Sequence, residues 1–266
     1  MSIFDFQLAS NDRVCGTVYL PDDSTTPLPV VVYCHGWGGS RSLPPVVASL
    51  WRLLESEPAA LVAVDFFGCG QTGGDYGQMS YGRWHTNLAE VFDWIMRQPW
   101  ADPQRIGCFA ISSGTTAAFR HGIASPDCAF IVSVATCIGA FIGMPNPPGR
   151  IFAENARALL EGKTASVFGT AFSQEFFHDF LTEAPVYRLR SIVCPVFFLQ
   201  GADDNPWRRA DAWLGFQLLK EQGAKYMEIP GGDHGLDRVA DIAAGAAMEW
   251  LREINFRRSA TPNSSG

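Results

Sequence analysis

Residues 107–118 read GCFAISSGTTAA, an apolar run that meets two adjacent serines and passes into small residues suited to a helix. A serine nucleophile at a sharp strand-to-helix turn needs small neighbours two positions before and after it, because the chain folds back on itself there. Ser112 has Ala110 and Gly114 at those positions, whereas Ser113 has the β-branched Ile111 and Thr115. Ser112 therefore passes the steric test and Ser113 fails it. The plain alternative is a helix N-cap serine with no chemistry. A hydroxyl becomes a useful nucleophile only when a histidine takes its proton and a carboxylate fixes the tautomer of that histidine.

The chain offers five histidines. His234, in IPGGDHGLDR, sits on a glycine-flanked loop between the last expected strand and the last expected helix. It is the best base. His85 and His121 lie in or beside helical patterns, His178 lies in an expected insertion, and His35 lies at a strand end before glycines; structural roles are expected for all four. For the acid, VFFLQGADDN offers Asp203 and Asp204. Asp204 is favoured because it occupies the position that a G-x-x-D turn presents, and Asp203 reads as a solvated turn carboxylate. The chain order is then Ser112, Asp204, His234, each at the C-terminal end of an expected parallel strand, where open α/β sheets gather their sites. Donors for a tetrahedral oxyanion are expected from the backbone N–H of Trp37, in the turn HGWGGSR, and of Ser113.

The elements that must position these residues follow an alternating pattern of short apolar runs and helix-length amphipathic segments, the signature of a mostly parallel sheet with helices on both faces. Strands are expected at 29–34, 61–65, 105–111, 130–135, 195–201 and 225–229, preceded by a hairpin of 4–8 and 14–20 at one sheet edge. Helices are expected at 44–55, 88–98, 114–124, 208–222 and 236–254. The interval from Cys137 to Pro185 is too long for an ordinary loop. It opens on the turn-rich MPNPPGR and is read as a cap. The expected organisation is an α/β core of residues 1–136 and 186–256, a mainly helical cap of 137–185 and a disordered tail of 257–266.

Phe168, Phe172, Phe176 and Phe180 recur every four residues, joined by Phe177 and Leu181, and are expected to form one aromatic stripe on a cap helix. Packing of the cap onto the core is the main expectation for it. Part of the stripe, Phe172 and Phe176, together with Trp37 and Trp207, is expected to line an apolar substrate pocket. No dedicated cationic clamp is evident, with Arg41, Arg83 and Arg150 as the candidates for a charged acid.

Composition sets the outer limits. The 266 residues carry a net charge of −7, with 47 % hydrophobic and 18 % charged residues. This describes one large globular domain, without a basic run for nucleic acid, and without a membrane-spanning stretch. The start lacks the pattern of a secretory signal, so a cytoplasmic location is expected. The seven cysteines are scattered, with no C-x-x-C pair and no metal-ligand spacing. Neither a zinc site nor a disulfide framework is expected. A small-molecule ester is the expected partner, and a homodimer stands as an alternative to a monomer.

The chain resembles an α/β-hydrolase over nearly its whole length: HGWGG resembles the oxyanion turn, AISSG the nucleophile elbow, GADD the acid loop and GGDHG the histidine loop. More narrowly, the segment AVDFFGCGQTGGDYGQMSYGRWHTNLAEVFDWI is similar to the D-x-x-G-x-G-x-S-x-G region of feruloyl esterases, monoacylglycerol lipases and serine-aminopeptidase-like hydrolases. The resemblance implies a Ser-His-Asp hydrolase with a cap between the sixth and seventh core strands and no cofactor. Ala110 departs from the usual elbow glycine, Cys69 and Thr72 from polar and serine positions, and NPWRRAD from the usual continuation of the acid loop. Ester hydrolysis is the leading expectation. Thioester, amide or carbon–carbon bond hydrolysis with the same triad, or a non-catalytic binding protein of the same fold, are the alternatives.

Overall fold

The computed structural model describes residues 2–21, 27–139, 154, 155, 157, 158, 160–167 and 169–256. The MPNPPGR turn with Arg150, Phe168 and the tail 257–266 lie outside the described residues.

The apolar runs form an eight-stranded sheet in the order β1-β2-β4-β3-β5-β6-β9-β10. Its members are β1 (Ser2–Gln7), β2 (Cys15–Leu20), β3 (Leu28–Cys34), β4 (Ala60–Asp65), β5 (Ala101–Ile111), β6 (Ile131–Val134), β9 (Val196–Gly201) and β10 (Lys225–Ile229). The β1–β2 hairpin is antiparallel and joins β4 antiparallel at one edge, while the pairs from β4 to β10 are parallel. Parallel strands buried on both faces read as continuous apolar runs, which is why VVVYC and LVAVD were legible as strands.

Alternate residues serve the two faces. Val31, Leu61, Phe109, Val132 and Leu199 pack against helices α1 (Pro45–Leu54) and the C-terminal α6 (Ala240–Glu253). Val30, Val32, Val62, Cys108 and Ala110 meet α2 (Tyr81–Met96) and α3 (Ser113–Ala124) on the other face, with α5 (Pro206–Leu219) beside them. Helix α2 starts at Tyr81, seven residues before its expected start at Leu88, because the Ser80 side chain accepts a hydrogen bond from Arg83 N–H and caps the helix there. Helix α6 starts at Ala240 rather than Leu236, which instead takes a left-handed conformation with φ 61°.

Between β6 and β9 the described residues include an antiparallel ribbon of β7 (Ala165–Val167) and β8 (Thr170–Phe172), followed by α4 (Gln174–Thr182). The single helical stripe expected through the phenylalanines is corrected here. Phe172 belongs to β8, and only Phe176, Phe177, Phe180 and Leu181 lie on α4. The four-residue spacing survives because the chain turns from strand to helix at Ser173, which leaves the Phe172 ring 4.3 Å from that of Phe176.

Candidate active site

Strand β5 delivers Ser112 to the C-terminal edge of the sheet, and α3 leaves from the next residue. The turn between them forces Ser112 to φ 53° and ψ −123°, a conformation that a non-glycine residue adopts only when its surroundings hold it there. Those surroundings are on hand: Ser112 N–H donates to the Val134 carbonyl at 2.9 Å, and its own carbonyl accepts from Thr115 N–H at 2.9 Å and Thr115 Oγ1 at 2.6 Å. Gly114 makes the close approach possible, since a Cβ there would collide with the carbonyl oxygens of Cys34 and His35. Backbone cannot yield as a side-chain tip can. Gly114→Val is therefore expected to abolish the folded state or lower its thermal midpoint steeply, measured by circular dichroism; a folded variant with the wild-type midpoint would contradict this packing.

The histidine loop follows β10 and brings His234 Nε2 to 3.0 Å from Ser112 Oγ. On its other side, His234 Nδ1 lies 3.0 Å from each oxygen of Asp204. A carboxylate can only accept there, so Nδ1 carries the proton and Nε2 faces the serine hydroxyl as acceptor. Asp204, two residues beyond the start of the β9 turn at Ala202, has a fully buried side chain, while that of Asp203 is 53 % exposed and faces Arg238 at 3.9 Å. Of the two aspartates, Asp204 is the one that faces the ring. Burial pushes the Asp204 carboxyl up, but hydrogen bonds from His234, Gln200 and Asn205 N–H outweigh it and hold the pKa below the usual value. Gln200 Nε2 donates to Oδ2 at 2.9 Å and Asn205 N–H to Oδ1 at 2.7 Å. The sequence reading missed Gln200; its one signal was a polar residue closing the apolar run VFFL.

Ser113 faces the opposite way. It is 1 % exposed, with its side chain in the core beside the buried Tyr81. Its backbone N–H opens α3, whose N-terminal dipole favours negative charge at Ser112. The turn His35–Gly39 packs against the nucleophile: a Cβ on Gly36 would sit 3.0 Å from that of Ser112. His35 holds this turn from within the core. Its Nε2 accepts from Phe66 N–H at 3.1 Å, so Nδ1 carries the proton and donates to the Gly36 carbonyl at 2.8 Å. Both ring nitrogens are thus committed, and burial lowers the His35 pKa, which keeps the ring neutral.

The rings expected around a substrate divide into two groups. Phe172 and Phe176 are each 1 % exposed, in a stack that runs from Trp37 to Phe172 (5.2 Å, 9°) and on to Phe176. In this conformation neither presents a surface to a ligand. Trp37 and Trp207 are half-buried, and the Arg208 guanidinium lies 4.2 Å over the Trp207 ring. Two of the candidate cations are committed elsewhere: Arg41 pairs with Asp65 at 2.6 Å and Arg83 with Asp12 at 2.6 Å.

The same network accounts for Thr72. Asp65 also accepts from the backbone N–H groups of Arg41 and Gln71. Thr72 does the work of a hydroxyl in this loop, donating to the Asp65 carbonyl at 2.6 Å and accepting from Cys15 N–H at 2.9 Å. Burial pushes the neighbouring Cys69 thiol up to about 12, which leaves no thiolate for nucleophilic chemistry. All seven cysteines are buried thiols, none of them in a disulfide. Titration of the native protein with Ellman's reagent is therefore expected to find no fast thiol, and seven after denaturation; a fast thiol in the native state would contradict the packing. Among the described residues no group of three or more histidine, cysteine or carboxylate side chains could hold a metal ion, and no helix is long and apolar enough to cross a membrane.

No family model matches the sequence, and no curated protein matches it. Solved structures do. Est1E from Butyrivibrio proteoclasticus with ferulic acid bound superposes with a TM-score of 0.74 at 16 % identity, over 91 % of this chain and 96 % of that one. The esterase domain of a Rhodothermus marinus protein gives 0.67 at 15 % identity, over 95 % and 99 %. A puromycin-hydrolysing peptidase from Mycobacterium tuberculosis gives 0.71 at 16 % identity, over 95 % of this chain and 39 % of that one. Together with the strand order and the parallel register, these likenesses identify the architecture of this chain as the α/β-hydrolase fold.

Proposed function

We propose that the protein is a serine-dependent carboxylic-ester hydrolase. The observation that carries this reading is the unbroken relay from Ser112 Oγ through His234 to Asp204, made of 3.0 Å contacts between residues from three separate strand ends. A structural serine, histidine and aspartate have no need to align in this order, whereas acyl transfer requires it.

In the proposed reaction Ser112 Oγ attacks the ester carbonyl while His234 Nε2 takes the hydroxyl proton. The N–H groups of Trp37 and Ser113 bind the oxyanion, and Asp204 stabilises the imidazolium. Collapse expels the alcohol, which receives the proton from His234, and leaves an acyl-serine. Water, deprotonated by the same histidine, then attacks the acyl carbon and releases the acid. The segment between β6 and β9 acts as a cap over this site, with Trp37 and Trp207 as the aromatic surfaces that a small acyl or aromatic group meets; Phe172 and Phe176 back Trp37.

The test is kcat/KM on p-nitrophenyl acetate, butyrate and decanoate, methyl ferulate and an acyl thioester, with an amide alongside and Ser112→Ala as the blank. Ester turnover far above the blank is expected, ranked by acyl size. Turnover of the thioester or amide alone would move the reading to those bonds, and none at all would overturn it.

A further inference from the structure

Strand β9 ends on a residue that breaks its own pattern. Val196 and Phe198 send their side chains into the apolar core on the α2–α3 face, and Gln200 follows at the same two-residue spacing, fully buried. An aliphatic side chain there would continue the core. A buried amide instead has two donor hydrogens and an acceptor to satisfy. Gln200 Nε2 donates to Asp204 Oδ2 at 2.9 Å and to the Gly201 carbonyl at 3.3 Å. Its Oε1, also buried, has no hydrogen-bond partner among the described residues. An acceptor left unmade in the core lowers stability, so the fold gains from this amide only through its nitrogen.

That nitrogen meets the acid of the proposed relay. Asn205 N–H, a backbone donor on the adjacent residue, reaches Asp204 Oδ1 at 2.7 Å. One donor on one oxygen leaves the carboxylate able to swing about its terminal torsion, which is broad for aspartate. Gln200 supplies the second point of attachment, on the other oxygen. With each oxygen held, both stand 3.0 Å from His234 Nδ1. The constraint runs in both directions: turned over, the amide would set Oε1 against Oδ2, two acceptors face to face, so the ionised carboxylate also fixes the amide. The platform beneath is stiff. A Cβ on Gly201 would collide with the carbonyl oxygens of Gly232 and Asp233, and Asp203 N–H donates to the Gly232 carbonyl at 2.9 Å. The histidine loop therefore rests directly on the strand end that carries Gln200.

We infer that Gln200 is a positioning residue for the relay, its amide holding the plane of the Asp204 carboxylate so that the carboxylate keeps His234 Nε2 aimed at Ser112. This rests on the ester-hydrolase reading of the same site. Gln200 touches no substrate and acts only through Asp204. Its contribution to the chemical step therefore vanishes when the carboxylate is gone, which a residue that merely packs the core would not show.

Gln200→Met keeps the length of the side chain and removes the donor; Gln200→Asn keeps an amide and draws it back by one methylene. With p-nitrophenyl butyrate, kcat is expected to fall about tenfold in each with KM unchanged, because a histidine held less steadily weakens proton transfer in the transition state and not substrate binding. If methionine prevents folding, the asparagine variant carries the test. A double-mutant cycle separates positioning from packing: in Asp204→Ala, where no carboxylate remains to be held, adding either change should alter kcat by less than about twofold. Wild-type kcat in a variant that circular dichroism shows to be folded would overturn the inference. So would a tenfold loss that persists in the Asp204→Ala background. In both cases the ester-hydrolase reading stands. A wild type whose turnover survives Ser112→Ala would overturn both.

Discussion

Ser112→Ala is expected to lower kcat for a p-nitrophenyl ester by about 10⁶-fold, to the level that binding and oxyanion donors alone sustain. The methyl group keeps the volume of the elbow, so the thermal midpoint should hold. Ser113→Ala supplies the contrast. Its hydroxyl is turned into the core against Tyr81, and the group proposed to bind the oxyanion is its backbone N–H, which alanine retains. That variant should keep kcat within several-fold of wild type. If Ser113→Ala were the inactive one, the steric argument from Ala110 and Gly114 would fail and the elbow would need a different nucleophile.

Asp204→Asn should cost about 10⁴-fold in kcat, for a reason the local hydrogen bonds make specific. Both carboxylate oxygens now accept: Oδ1 from Asn205 N–H, Oδ2 from Gln200 Nε2, and the pair together from His234 Nδ1. Asn205 N–H is backbone and cannot turn, so an amide at position 204 must keep its oxygen there and place its NH₂ at the Oδ2 position. The Gln200 amide can rotate to offer its oxygen to that NH₂. That NH₂ now faces His234 Nδ1 where a carboxylate oxygen stood, and it favours the tautomer in which Nδ1 accepts and the proton sits on Nε2, which is no base for Ser112. Asp203→Asn changes only a half-exposed carboxylate 3.9 Å from Arg238 and should leave kcat within about threefold. Steady-state kinetics on the two variants decide between them, and the reverse ranking would reassign the acid.

Much of this was written in local pattern. Runs such as VVVYC and LVAVD needed no partner to be read as strands buried on both faces, and small residues on either side of Ser112 encode the elbow whatever lies around it. The serine, acid and histidine loops each follow a strand end, so the fold class alone brings them to one edge. What stayed hidden depends on distant partners. Phe172 and Phe176 share helical spacing, yet a strand-to-helix turn at Ser173 intervenes, because pairing of β7 with β8 overrides the periodicity. Strand β5 starts at Ala101, ahead of Arg105, because Ala101 pairs with Leu28 across an irregular register. Tyr76 offers no motif at all: the bond its hydroxyl accepts from Gly38 N–H exists only because the fold lays the two side by side. Arg41 and Arg83 stand in sequence as candidates for a charged acid, and only the packing of Asp65 and Asp12 against them shows that they are paired.

The most direct test of the central claim, that Ser112 is a nucleophile activated by His234, is labelling of the folded protein with a fluorophosphonate, read by intact mass and peptide mapping. The expected result is one adduct per chain, on Ser112, formed orders of magnitude more slowly in His234→Ala and absent after denaturation. An adduct on any other residue, or labelling of Ser112 at the same rate without His234, would contradict it.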